Sequence, residues 1–243
     1  NIESIIREGG LALMNTNTAG GRTRENAHAT IGAGKVAYGG AEAGQAFLAS
    51  ADLDGVPAGE IYQARTGQSA PPDALVHLGL AGMFRVNEGR THTGRPGLLG
   101  ETMHLAGHKT ALVGHADERE NPQSGINYHR QAAAIAMDRS GQVDYAFLGD
   151  ELTQPGANSL LLDSMDPQKT GSAVRAALRR AELVVVETGD TVRLEKTKSR
   201  ALDRIYQDAK QEALAQIDIL AGEVIDAARA YDSLVLIFSS TPS

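Results

Sequence analysis

The chain has 243 residues, 42% hydrophobic and 22% charged, which excludes a largely disordered protein and suffices for one large α/β domain with a substantial core. Its 23 basic and 30 acidic residues leave a net charge of −7, and no basic stripe interleaved with aromatics stands out. A nucleic-acid surface is therefore excluded, and a small-molecule or protein partner is expected. Without cysteine there is no disulfide, thiolate metal site or Cys nucleophile. No run approaches ~18 apolar residues, so the expectation is a chain that neither spans a membrane nor targets itself.

In chain order, "NIESIIREGG" reads as a helix that gives way at Gly9–Gly10 to a short apolar strand, Leu11–Met14. A glycine turn follows, and a second helix begins at about Thr23. Residues 35–97 show little periodicity and read as connecting material or an insert with one or two helices, one of them "DALVHLGLAGMFRVNEG" after Pro71–Pro72. "LLGETMHLAG" is a helix closing on Gly107, and "KTALVGH" is a buried strand directly behind it. "AAAIAM" and "DYAFLG" read as two further short strands around the turn at Arg139-Ser140-Gly141. "SAVRAALRRA" is helical, and "ELVVVETGD" is apolar on both faces, as a central parallel strand should be. Residues 199–230 form one long amphipathic helix with Leu202, Ile205, Tyr206, Ala209, Leu214, Ile217, Leu220, Val224 and Ile225 on its apolar side. Leu234–Phe238 is the last strand.

This alternation predicts an α/β fold, a mainly parallel sheet covered by helices on both faces, in a single domain over residues 1–243. The strands Leu11–Met14, Thr110–Gly114, Leu183–Glu187 and Leu234–Phe238 are expected in one sheet, with Thr23, His115, Asp190 and Ser240 converging at its carboxyl edge. The chain opens inside a helix and stops just after a strand. Both ends read as truncated, as in a fragment of a longer protein.

"NIESIIREGGLALMNTNTAGGRTRENAHATIGAG" resembles the opening of the alkaline phosphatase-like superfamily, which includes phosphodiesterases, sulfatases and cofactor-independent phosphoglycerate mutases. In that pattern a Thr, Ser or modified Cys nucleophile begins a helix, and the phosphodiesterase branch reads Thr-x-x-Asn, the spacing of Thr23 and Asn26. "GLLGETMHLAGHKTALVGHAD" looks like the superfamily's helix-then-strand unit. "ELVVVETGDTVRLE" is similar to the strand that delivers a metal-binding Asp, and "DSLVLIFSSTPS" to the strand that normally ends Ser-Asp-His-Gly. The likeness is nearest to a bacterial branch in which such a domain is attached to a membrane-embedded region, which implies a place on the extracytoplasmic face of the membrane.

The resemblance implies a metal-dependent hydrolase of phosphate or sulfate esters, with zinc or manganese in the full-length protein. The departures are specific: Ser240-Thr241 stands where the Asp-His pair is expected, and Arg193 or Leu194 where a His should follow Asp190. The strand that supplies the first metal-binding Asp would precede Asn1, and the late His would follow Ser243. Asp190 alone of the usual ligands is present, so no stoichiometric dinuclear metal centre is expected in this chain. A non-catalytic anion-binding or regulatory module that has lost its metals is the alternative.

Thr23 suits a nucleophile at a helix N-terminus, where free N–H groups hold an anionic ester oxygen, and it equally suits a plain N-cap. Arg22 and Arg24 are placed to bind ester oxygens, or are solvated surface charges, and Asn26 to donate to one. Asp190 serves as a cation ligand, as a helix cap, or as partner of Arg193 in an internal ion pair replacing a metal; Glu187 in the same turn shares the first two roles. His115, with Asp117 two residues on, is the remaining metal or substrate contact. His104 and His108 are separated by the helix-breaking Gly107 and read as surface residues, not a metal clamp. The "GAG" of residues 32–34 follows a helix, so it is no dinucleotide fingerprint.

Overall fold

The computed structural model describes residues 2–119, 125–156 and 160–241. Helix α1 (Ile2–Glu8) leads to an extended segment and then to α2 (Arg24–Ala33), which Thr23 caps and Gly34 ends in the left-handed region. There follow β1 (Ala46–Leu48), the small hairpin β2 (Asp52–Leu53) and β3 (Val56–Pro57), α3 (Ala58–Thr66), β4 (Leu75–His77) and α4 (Leu80–Asn87). Helix α5 (Leu98–Leu105) precedes β5 (Thr110–Val113), and α6 (Ala133–Ala136) precedes β6 (Gln142–Val143) and β7 (Tyr145–Phe147). After a 3-10 turn come β8 (Thr153–Pro155), β9 (Asp163–Met165), α7 (Pro167–Leu178), β10 (Leu183–Val186), α8 (Asp190–Thr197) and the 27-residue α9 (Asp203–Arg229).

The strands make two three-stranded sheets and two two-stranded ladders. One sheet is parallel, in the order β10-β5-β7, with Leu183 opposite Thr110 and Ala111 opposite Tyr145. The other, β1-β4-β6, is antiparallel.

Because side chains alternate along a strand, the parallel sheet presents two apolar faces. Leu112, Ala146 and Val185 pack toward α2 and α6 with Ala29, Ala33, Ala133 and Met137. Ala111, Val113, Phe147, Val184 and Val186 pack the other way, on Ala173, Val174 and Ala177 of α7 and Ala227 of α9. Two glycines set close approaches. A Cβ on Gly32 would lie 1.9 Å from the Ala134 carbonyl oxygen, so only glycine lets α2 lie on α6. Gly114 ends β5 at φ 84°, with the Glu187 carbonyl where a Cβ would stand.

Several sequence expectations are corrected. The parallel sheet has three strands, and antiparallel pairing holds the rest. Residues 35–97 are not mere connection: they supply β1 to β4 and two helices, and Phe47, Ala58, Tyr62, Val76 and Leu78 form a core of their own. "DALVHLGLAGMFRVNEG" splits, Leu75–His77 being a strand between β1 and β6, because a short apolar run takes its state from its neighbours. "AAAIAM" is helical, and its alanines, the best helix formers, are small enough to lie beneath α2.

Among the described residues Leu11–Met14 and Leu234–Phe238 join no ladder. Leu13 is 102% and Leu234 85% exposed, and the β propensity of such a run means little without a partner strand. In α9 the buried seam is Tyr206, Ala209, Ala213 and Leu220, while Ile205 and Leu214 of the expected stripe face solvent.

Candidate functional site

The carboxyl ends of β5 and β10 gather charge. Glu187 directly follows β10, and its Oε1 accepts from Arg24 Nη2, so the first residue of α2 is tied to the edge of the sheet. Arg193 of α8 donates from Nη2 to the His115 carbonyl (3.0 Å) and from Nε to the Asp117 carbonyl (2.8 Å), fixing the segment after β5 to the same edge. Thr23 (through its neighbour Arg24), His115 and Asp190 are thus brought together. Ser240 follows Leu234–Phe238, which pairs with no strand among the described residues, so no strand carries it to that edge.

Thr23 is an N-cap with extended backbone (φ −99°, ψ 160°), and its Oγ1 accepts only a long 3.4 Å bond from the Asn26 N–H. The hydroxyl is exposed, as is Arg22 beside it. Asn26 is buried and spends its amide inside the fold: Nδ2 donates to the Gly21 carbonyl and Oδ1 accepts from the Gly39 N–H, each at 2.9 Å. It shapes the glycine turn with its oxygen and one of its two amide hydrogens. One turn along α2, His28 is buried, its Nδ1 has no partner among the described residues, and burial with the nearby Arg24 charge lowers its pKa to about 3.

Asp190 is the first residue of α8, not its cap, and is fully buried. Its Oδ1 accepts from Arg193 Nη1 at 2.7 Å, and both oxygens accept from the Met165 N–H, at 3.0 and 3.1 Å. Burial raises its pKa, with the Arg193 charge and the Met165 hydrogen bond opposing. A guanidinium at 2.7 Å repels a divalent cation and occupies the carboxylate that would hold one. Among the described residues no group of three or more His, Asp or Glu side chains is arranged to take a metal. The residues around Asp190 therefore do not fit the zinc or manganese that the resemblance implies.

His115 is buried and, through Nδ1, accepts from the Asp117 N–H (3.2 Å), which leaves the proton of the neutral ring on Nε2. Burial lowers its pKa, Asp117 opposing. Asp117 is itself clamped by Arg130, whose Nε lies at 2.8 Å and Nη2 at 2.7 Å, while Arg130 packs over Tyr128 and Phe47. Lys196 of α8 meets Glu118 and His129. A polar cavity of about 120 Å³ opens between His115, Asp117, Arg130 and Arg193.

Sequence reasoning missed Arg130, His129 and Lys196, which reach the site from a loop and a helix with no characteristic spacing. A larger cavity, about 450 Å³, lies at the opposite, amino edge of the same strands. There His104 is half-buried between Asp138 and Asp144, so it is no free surface residue, whereas His108 is exposed.

No family model, curated protein or solved structure matches the chain.

Proposed function

We propose that Thr23, with Arg22 and Arg24, holds the anionic group of a phosphate or sulfate ester, in a domain of the alkaline phosphatase-like kind descended from metal-dependent phosphoesterases. One observation carries this: an exposed Thr hydroxyl, nearly free of internal hydrogen bonds, stands at the start of a ten-residue helix anchored to the carboxyl edge of a parallel sheet. The free N–H groups of α2 and its dipole favour an anion there, and open α/β sheets place ligands at that edge. In a hydrolase, Thr23 Oγ1 attacks the phosphorus or sulfur as the ester oxygen leaves. The buried Asp190–Arg193 pair favours a second reading, a module that binds the anion without turning it over. The membrane-attached, extracytoplasmic setting belongs to the same proposal. No helix among the described residues is long and apolar enough to cross a membrane.

The test is hydrolysis of an aryl phosphate, an aryl phosphodiester and an aryl sulfate, with and without added zinc or manganese. For a nucleophile, Thr23→Ala loses turnover by several orders of magnitude while the fold survives, because no other oxygen replaces the missing one. For a cap alone, Thr23→Ala costs about 1 kcal/mol of stability and leaves anion binding intact. Wild-type protein that binds the anion and hydrolyses none of the esters establishes the binding module.

A further inference from the structure

We propose that Glu187 gates Arg24: charged, it holds the guanidinium against the sheet edge, and protonated, it releases Arg24 to an oxyanion at the start of α2. The gate rests on the anion-site reading above and adds its regulation.

The geometry is that of an incomplete ion pair. The Glu187 side chain is 5% exposed and that of Arg24 17%. Only Oε1 of Glu187 meets the guanidinium, whereas Oε2 is buried and makes no hydrogen bond of ordinary geometry among the described residues, the Ala132 N–H favouring the charged carboxylate only from outside that geometry. A carboxylate in such a place keeps the desolvation cost of its charge and lacks part of the hydrogen bonding that would offset it. Oε2 is the atom free to take a proton. Arg24 occupies the first turn of α2 next to Thr23, so a guanidinium freed from Glu187 stands at the helix mouth, where an anion replaces the lost counter-charge.

The charges around the pair are few. Glu187 is faced by Arg24 from α2 and by Asp117 from the segment after β5. Arg24 is faced in turn by His28 of α2 and by His129 from the segment before α6, and His129 by Lys196 of α8 and by Glu118. Arg193, Arg130 and His115 surround Asp117. Burial, opposed by Arg24 and by the Ala132 N–H and reinforced by the Asp117 charge, raises Glu187 to about 7. Burial lowers His28 to about 3, and it also lowers His115 and His129 below the ordinary imidazole value. Of these shifted groups Glu187 is the one whose pKa is raised toward neutrality. Because binding and protonation are linked reciprocally, an anion that draws Arg24 away must draw a proton onto Glu187.

Inorganic sulfate is the probe, since its charge is constant over the range used. Calorimetric titration of the 243-residue chain at about pH 6 and about pH 8, in two buffers of different ionisation heat, should show roughly tenfold tighter binding at the lower pH. Proton uptake should approach one per sulfate at the higher pH. Glu187→Gln should bind at both pH values as wild type does at the lower one and take up no proton, and Arg24→Gln should lose binding at both, with helix content by circular dichroism confirming the folds. Wild-type binding that is equal at both pH values and takes up no proton overturns the gate and leaves the anion site standing. The same pH dependence in wild type and Glu187→Gln also overturns it, assigning the effect to the histidines. Sulfate bound by neither protein at either pH overturns the anion site and the gate with it.

Discussion

Two arginine–carboxylate pairs stand at the same sheet edge, their carboxylates three residues apart in the chain, and they are built differently. Asp190 gives both oxygens to donors, and Arg193 gives three nitrogens: to Asp190 and to the carbonyls of His115 and Asp117. Arg24 and Glu187 share one contact and leave a buried oxygen without a well-formed hydrogen bond among the described residues. A saturated pair works as a rivet, joining α8 to the segment after β5 and to β9. An unsaturated one has a position open to a proton and a guanidinium open to another anion. Identity of residue type does not separate these roles; the count of satisfied atoms does.

The largest effect that would break this comparison is in stability. Arg193→Met leaves Asp190 buried without its counter-charge and should cost about 3–5 kcal/mol in urea unfolding. Arg24→Met should cost less, roughly 1 kcal/mol near pH 6, because Glu187 can neutralise itself by protonation. Equal losses would show that the two pairs do the same work.

The next effect is a pH slope. Glu187 has its folded pKa raised from 4.5 to about 7, so its contribution is fully present below 4.5 and is lost as pH rises through about 7. The stability of wild type relative to Glu187→Gln should therefore fall by on the order of 3 kcal/mol from the acid to the alkaline side of that window. His28 and His77, lowered to about 3 and about 4 by burial, act in the opposite sense, losing stability as pH falls below 6.5. They cancel in the difference between the two proteins. A flat difference would deny Glu187 its perturbed state.

The smallest effect concerns the two unpaired apolar segments. Leu13→Lys and Leu236→Lys should each change stability by no more than about 0.5 kcal/mol, since both side chains stand in solvent. A loss of several kcal/mol at either site would mean that the segment is a strand of the sheet, as its sequence pattern suggests. Ser240 would then be carried to the edge where Arg24, Glu187 and Asp190 lie.

By itself the sequence determined the elements whose signals are local. The α2 boundary follows from Thr23 and the glycines around it, β5 and β10 from continuous apolar runs, and α7 and α9 from spacing close to 3.6. It also brought Thr23, His115 and Asp190 to one edge, because parallel αβ units send every strand's carboxyl end the same way. Tertiary structure alone decided what those residues can do. Whether Asp190 binds a cation or a guanidinium depends on where Arg193 points, and whether Asn26 meets a ligand or the Gly39 backbone depends on a loop thirteen residues away. Whether Leu234–Phe238 is a strand depends on an edge to pair with. Periodicity records which face of an element is apolar; a hydrogen bond or an ion pair forms only where two distant segments fold to within about 3 Å of each other, and no spacing in one chain records that distance.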